Sequence, residues 1–308
     1  KIDFNLDKFS TIFFLETYKS KNIDINKRKN FFSYFKHFDN FTKFLVQQFS
    51  FNFPKSFFED YDAINNSLRN SFLPENPRVI LTSTSHLMND NFKYYIASKV
   101  PRSKFFIFQH GGSYHTQGTK LTDLIEYRTC DKFLTWGWRE KNNKKLIPMF
   151  NPKNLNYNYK RKVKEEILIP INSNFPTSPG YVHGLPRVKD DTQKYFENIQ
   201  NFVNYLSPQL RKKITIKISN TEDDKNSKKN NFINFKNRNR KEIKFLHSVK
   251  TTSFYSKNSN VIIEFTNTTG FLEMINLNFP TIIIFDKSIE KTTPKTRKFF
   301  DKLKRSKV

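Results

Sequence analysis

Glycine is scarce in this chain, with seven among 308 residues. The first is Gly111, and four of the seven lie between Gly111 and Gly137. Glycine lets a backbone adopt positive φ or approach a ligand closely, at an entropic cost. A chain that otherwise avoids glycine is expected to use it for geometry, so residues 109–118 are the first candidate for a functional site.

Cysteine and long apolar runs are also scarce. The single cysteine, Cys130, excludes an internal disulfide and a thiolate zinc cluster, which fits a reducing compartment. No stretch approaches the roughly 18 apolar residues of a spanning helix, and none has the layout of a signal peptide. We therefore expect a cytoplasmic protein. The chain begins at Lys1 and stops just after a helix-like segment, so we also expect a fragment of a longer protein.

Acidic residues are few relative to basic ones, 28 against 54, which gives a formal charge of +26. Such an excess could serve nucleic-acid binding, because lysine and arginine arrays gain affinity by releasing phosphate counterions. Here the excess is spread along the chain with abundant Asn, Ile and Phe, a bias typical of AT-rich codons, and nucleic acid is disfavoured as a partner. We prefer an anionic membrane face or phosphorylated substrates. A merely solvated surface is the alternative.

Aromatic residues are abundant, and those between Phe31 and Phe49 recur every three or four positions. This period predicts a helix with one buried face, so these residues are interpreted as packing and not as a site. The residues are Phe31, Tyr34, Phe35, Phe38, Phe41, Phe44, Leu45 and Phe49.

From Arg78 onward, short apolar runs alternate with polar or helix-like stretches. This alternation predicts βαβ units around parallel sheets, and therefore an α/β fold. The predicted strands are 79–81, 105–108, 133–134, 167–169, 214–218, 243–246, 261–263 and 281–285. The predicted helices are 90–99, 121–130, 190–206, 271–277 and 296–304.

The stretch 144–164 contains two prolines and many charges, so we interpret it as a crossover between domains. The sequence thus predicts two doubly wound, Rossmann-like domains, 1–150 and 151–308, that face a cleft. The polar stretch 222–241 is predicted to be a surface loop. Open α/β sheets bind ligands beyond the carboxyl ends of their strands, where the segments 109–112 and 266–270 lie.

The segment 266–270 has the composition of an anion site. Thr268, Thr269 and Gly270 follow a strand and precede a helix, which brings free amide groups, a positive helix end and hydroxyls to one point. The alternative is that a threonine caps the helix and the glycine relieves crowding. Glu273 in the first helical turn could bind ligand hydroxyls, although the helix dipole also favours a carboxylate there.

A histidine follows the strand 105–108 directly. His110 precedes two glycines, and an imidazole with a pKa near 6.5 is suited to general-base work. A structural role is the alternative. His115 has no carboxylate or cysteine partners at metal-ligand spacing, so we expect no metal site.

Two tryptophans and two basic residues are weaker candidates. Trp136 and Trp138 flank Gly137 and could stack on a base or sugar, but core packing is the preferred interpretation. Arg187 and Lys217 could supply positive charge to a diphosphate.

Several blocks of the chain together carry a family resemblance. They are Phe108-Gln109-His110-Gly111-Gly112-Ser113-Tyr114, Glu126, Leu134-Thr135-Trp136-Gly137-Trp138, Pro186-Arg187, Thr268-Thr269-Gly270-Phe271-Leu272-Glu273 and Asn278-Phe279-Pro280-Thr281.

These blocks resemble a family of transferases from bacterial surface-polysaccharide and O-antigen gene clusters. That family looks like GT-B glycosyltransferases and is distantly similar to the teichoic acid glycerophosphotransferases. The likeness runs from Arg78 to Val308. Where such proteins often carry a Pro-His turn after a basic residue, this chain has Lys217-Ile218-Ser219-Asn220, so a histidine contact to the donor phosphate is not carried over.

The resemblance implies a GT-B-like enzyme whose second domain holds a sugar nucleotide or a CDP-alcohol, with no cofactor and no required metal. The diphosphate would lie at Thr268, Thr269 and Gly270, with Glu273 on hydroxyls of the donor. His110 would remove the proton of the acceptor hydroxyl, and Arg187 and Lys217 would meet the charge on the leaving phosphate. The acceptor side of the cleft would be formed by Gln109, Gly111, Gly112, Tyr114, Glu126, Trp136 and Trp138.

The implied acceptor is a polysaccharide or a lipid-linked molecule, which would place the enzyme in the cytoplasm or at the inner face of the membrane. Two alternatives come from other classes of protein. A nucleotide-sugar 2-epimerase would turn over the donor without an acceptor, and a basic nucleic-acid-binding module would bind in a strongly salt-dependent way.

Overall fold

The computed structural model describes residues 19–34, 39–71, 73–112, 114, 116, 121–154, 165–171, 189–218, 231–248, 250–267, 269–284, 286 and 292–306. The chain divides into two compact units, Lys1–Phe108 and Gln109–Val308. The domain boundary expected at residues 150 and 151 remains a prediction. The structure is a mixed α/β fold with two sheets of parallel strands, as the alternating pattern predicts.

The first unit combines five helices with two strands over its described residues. The helices are α1 (Ile25–Ser33), α2 (Asn40–Asn52), α3 (Tyr61–Arg69), α4 (Ser85–Met88) and α5 (Asp90–Lys99), and the strands are β1 (Val79–Thr82) and β2 (Lys104–Phe108). The two strands pair in parallel, with Ile80 opposite Phe105. Both of these side chains are buried, because alternate residues of a strand point to one face.

The predicted buried aromatic face between Phe31 and Phe49 is wrong. The segment forms two helices, because Asp39 caps the start of α2 by accepting hydrogen bonds from Phe41 N and Thr42 N. The large side chains of this segment are exposed at positions 31, 34, 41, 44, 45 and 49, while residues 35 and 38 lie outside the described ranges. Instead of the aromatic stripe, α1 buries Arg28, which forms a bidentate ion pair with Glu59 at 2.6 Å.

The second unit contains the remaining strands. They are β3 (Lys132–Trp136), β4 (Leu146–Met149), β5 (Glu166–Ile171), β6 (Ile214–Ile218), β7 (Lys244–His247), β8 (Ser259–Glu264) and β9 (Thr281–Ile283). The pair β3 and β4 is parallel. The other five strands form one parallel sheet in the order β7-β6-β5-β8-β9.

Helices cover both faces of this five-stranded sheet. The helices of the second unit are α6 (Leu121–Thr129), α7 (Lys189–Tyr205), α8 (Pro208–Arg211), α9 (Asn231–Asn239), α10 (Thr252–Ser256), α11 (Thr269–Asn276) and α12 (Pro294–Arg305). Ile169 packs in a core with Ile199 of α7, whereas its neighbour Leu168 packs with Met274 of α11. Since successive strand residues point to opposite faces, these two cores lie on opposite sides of the sheet.

Two expected irregular stretches contain regular structure. Residues 231–239 of the predicted surface loop form α9, because Phe232 and Phe235 lie one turn apart and are buried. The predicted crossover contains β4, whose Pro148 is tolerated because β4 is an edge strand. No helix in the described ranges is both long and apolar enough to cross a membrane.

Candidate functional site

The loop that follows β2 and the amino end of α11 meet in the structure. The amide of Gly112 donates a hydrogen bond to Thr269 Oγ1 at 2.8 Å, across 157 residues of sequence. A side chain at Gly111 would bring its Cβ to 3.0 Å from the same hydroxyl oxygen. Further along the loop, Thr116 Oγ1 lies 3.5 Å from Asn267 Oδ1. The two segments predicted from sequence to carry the acceptor side and the donor side therefore share one contact region.

His110 is held by two polar neighbours. Its Nδ1 lies 2.6 Å from the hydroxyl oxygen of Tyr114 and 3.8 Å from Glu126 Oε1. Glu126 is fully buried, whereas the imidazole keeps 19% of its surface exposed. The Tyr114 hydroxyl is thus the hydrogen-bond partner of Nδ1, and it also lies 3.4 Å from Nε2, whereas Glu126 Oε1 lies beyond hydrogen-bond distance. The partly exposed ring can accept or donate a proton.

Gln109 connects the loop to the end of β3. Its Oε1 accepts hydrogen bonds from Trp136 N and Trp138 Nε1, both at 2.8 Å, and its Nε2 donates to Gly111 O at 2.7 Å. Gly137 between the tryptophans has a φ of 85°, a conformation that L side chains rarely adopt. Gln109 and Trp138 therefore fix the shape of the site, and the indole NH of Trp138 is engaged by protein.

Lys153 joins Trp136 to α11. Its Nζ lies 3.3 Å from Glu273 Oε1 and 5.7 Å from the centre of the Trp136 ring. The lysine side chain is 47% exposed. Burial raises the pKa of Glu273 above its usual value, and the ammonium of Lys153 opposes that shift. Sequence reasoning missed Lys153, because one more lysine in the polar stretch 144–164 carries no signal.

A buried carboxyl group lies beneath the first turn of α11. Glu264 ends β8 and is 3% exposed, and its Oε1 has no hydrogen-bond partner among the described residues. Burial, and then the charge of Glu273, raise the pKa of Glu264 to about 8, against the effect of Lys217. A Cβ at Gly270 would lie 2.3 Å from Glu264 Oε1, so the glycine makes room for this carboxyl group. A charged residue at the end of the apolar run 261–263 was the sequence signal that could have identified it.

Lys217 does not lie at the surface, where a lysine that binds a phosphate is expected. It is 2% exposed on β6, an inner strand of the five-stranded sheet, and burial lowers its pKa while Glu264 opposes that shift. Its charge therefore acts inside the protein, on Glu264, in the present arrangement. Lys153 is the exposed lysine beside Glu273. Thr268 and Arg187 lie outside the described residues.

Comparison with known families gives one decisive match. A family described as LIC12162 family transferase matches the chain over residues 1–308. The chain belongs to the LIC12162 family of transferases. No curated protein matches it. The family description makes this chain a transferase without naming a donor or an acceptor.

The geometry gives this LIC12162 family transferase three chemical capabilities in one region. The imidazole of His110 can accept a proton, the amino end of α11 can bind an anion through its free amides and dipole, and Glu273 with Lys153 can bind hydroxyl or anionic groups. Among the residues that the structure describes, no group of three His, Cys, Asp or Glu side chains is placed to hold a metal ion.

Proposed function

We propose that this transferase moves a glycosyl or polyol-phosphate group from a nucleotide-activated donor to a hydroxyl of a surface-polysaccharide acceptor, on a GT-B-like scaffold. The hydrogen bond from Gly112 N to Thr269 Oγ1 carries the proposal. It joins the loop that bears His110 to the helix end suited to a diphosphate. A base for the acceptor and an anion site for the donor are both needed for such a transfer.

The donor would bind at the amino end of α11. The hydroxyl of Thr269 accepts a hydrogen bond from Gly112 and retains its own O–H, which can be donated to a phosphate oxygen. Thr268 and Gly270 would contribute backbone amides, and Glu273 would accept hydrogen bonds from hydroxyls of the sugar or ribose. We assign to Lys153, which is half exposed beside Glu273, the cationic contact to the donor, with Arg187 as a second candidate.

The transfer step would use His110 as general base. Nε2 takes the proton of the acceptor hydroxyl while the acceptor oxygen bonds to the transferred group, and the bond to the leaving phosphate breaks with its electron pair staying on that phosphate. The Tyr114 hydroxyl would orient the ring through Nδ1, and a negative charge on Glu126, 3.8 Å from Nδ1, would stabilise the imidazolium that forms. The growing charge on the phosphate is met by the α11 amides and Lys153.

Binding and transfer can be tested separately. Calorimetric titration of the protein with UDP, CDP and GDP should give saturable binding of at least one, and His110→Ala should keep that binding while losing transfer. His247→Ala serves as the matched control, since this histidine lies on β7 beside Lys236. If His110→Ala transfers normally, the base assignment is wrong.

Two results would overturn the larger proposal. Absence of binding to every nucleoside diphosphate would remove the donor assignment. Turnover of a nucleotide sugar with no acceptor present would identify an epimerase instead of a transferase of this kind.

A further inference from the structure

Exposed large apolar side chains are concentrated at the start of the described chain. Of twenty such residues in the described ranges, ten lie between Ile23 and Tyr61. Exposed apolar side chains grouped in one part of a chain often mark an interaction site. We call the patch the aromatic surface of α1 and α2; its helical members are Phe31, Phe41, Phe44, Leu45, Phe49 and Phe51.

Helix α2 is turned with its apolar stripe outward. Phe41 and Phe44 are 68% and 54% exposed. The residues at positions 42, 46 and 50, spaced four apart, are less exposed, and Ser50 is buried. At about 100° per residue these positions lie on the opposite side of the helix from Phe44. The helix contacts α1 through Phe49, whose ring stacks on the buried Phe32 at 6.1 Å, while Phe41 and Phe44 are presented to the outside.

The same surface is strongly basic. In the described part of residues 19–57, five lysines are exposed against two exposed aspartates, while Arg28 is buried in an ion pair with Glu59. Both aspartates are used as helix caps, Asp24 for α1 and Asp39 for α2. Lysines border the rings directly, with Lys27 Nζ 5.5 Å from the centre of Phe58 and Lys29 Nζ 5.9 Å from the centre of Phe51.

We infer that the aromatic surface of α1 and α2 binds an anionic lipid bilayer. Phenylalanines on a helix that lies in the interface plane enter the headgroup–acyl boundary, and flanking lysines pair with anionic headgroups. The basic charge selects this occupant over a second copy of the chain, because two copies facing each other would bring the same lysines together. The inference is independent of the donor and acceptor assignments.

Vesicle co-sedimentation tests the inference on the full chain. Vesicles of phosphatidylcholine with phosphatidylglycerol should bind the protein, vesicles of phosphatidylcholine alone should bind it weakly, and added salt should reduce binding. Phe41→Ser combined with Phe44→Ser should lower partitioning at least about tenfold, because each substitution removes an aromatic ring from the interface. Both side chains are exposed, so the thermal unfolding of the double variant should match that of the parent protein.

Phe254→Ser is the matched control. Phe254 is also exposed and lies under Lys250 Nζ at 4.1 Å, but it belongs to the other unit, and its loss should leave vesicle binding unchanged. The inference is overturned if the parent protein does not bind anionic vesicles at low salt, or if the double variant binds as well as the parent. It is also overturned if the parent forms a dimer that the double variant abolishes, because the surface would then be a protein interface.

Discussion

Gly270→Ala is the substitution whose effect the structure defines most closely. A Cβ at this position would lie 2.3 Å from Glu264 Oε1, whereas ordinary van der Waals contact begins at 3.4 Å. The buried carboxyl group must therefore move by about 1 Å, the difference between these distances, within a close-packed interior. Gly270 is the second residue of α11 and has no positive φ, so the effect is one of space and not of backbone strain.

The expected cost combines two opposing contributions. Overpacking of a core costs about 1–3 kcal/mol, and the helix preference of alanine over glycine returns up to about 1 kcal/mol. We expect a net loss of about 1–2 kcal/mol in the free energy of unfolding, which corresponds to a melting temperature lower by roughly 2–8 °C.

A double-mutant cycle with Glu264→Ala identifies the cause. Urea and thermal denaturation of both single variants and the double variant should give a coupling free energy of about 1 kcal/mol or more, because removing the carboxyl group removes the clash. Gly111→Ala provides a graded comparison, since its Cβ would approach only to 3.0 Å from Thr269 Oγ1. If Gly270→Ala is as stable as the parent protein, or the coupling is zero, the packing argument is refuted.

Three further outcomes are expected. Burial raises the pKa of Glu264 from an ordinary value of 4.5 to about 8, so the folded protein keeps this proton at pH values where the unfolded chain has lost it. The free energy of unfolding of the parent protein should therefore fall relative to that of Glu264→Gln as the pH rises between these values, by at most about 1.4 kcal/mol per pH unit. Equal pH slopes of the two proteins in urea denaturation would contradict this. Tyr114→Phe should lower kcat by removing the hydrogen-bond partner of His110 Nδ1, and Glu126→Gln should lower it by removing the buried carboxyl group beside the ring, each by about 10- to 100-fold, as steady-state kinetics across pH can establish. The Arg28 hydrogen bond lowers the pKa of Glu59 to about 2, so Glu59→Gln should destabilise the fold by about 3–5 kcal/mol at neutral pH, and the difference should shrink as the pH falls from 4.5 toward 2.

The regular elements around the sheets follow from local sequence patterns. The predicted strand 214–218 and helix 90–99 have the same bounds as β6 and α5, because a continuous apolar run between polar stretches has few other ways to be buried. A helix inside the Asn-rich stretch 222–241 was not predicted. There, composition concealed two phenylalanines one turn apart, and those two side chains decide that α9 packs on the sheet.

Orientation and long-range contact could not be predicted from the same patterns. The aromatic period of α2 indicates that the helix has an apolar stripe, but the period does not say whether that stripe faces the core or the outside. Lys153 acquires its role only through contact with Glu273 of α11, which lies more than a hundred residues further along the chain. Gln109, Gly111, Gly112 and Tyr114 could be grouped with His110 because they lie next to it in sequence, whereas Glu126 was named only through the family resemblance.

Two glycines of the second unit leave room for a polar side chain. Gly111 lets the loop after β2 approach the hydroxyl of Thr269 in α11, and Gly270 makes room for the carboxyl group of Glu264 at the end of the preceding strand. Because both segments belong to Gln109–Val308, the loop with the proposed base and the helix with the proposed anion site are held together within one compact unit. The hydrogen bond from Gly112 N to Thr269 Oγ1 restricts the separation of the two groups. On this reasoning, the relative position of the base and the donor helix is set before any substrate binds. The conformational freedom lost on binding is then mainly that of the substrate and not that of the protein.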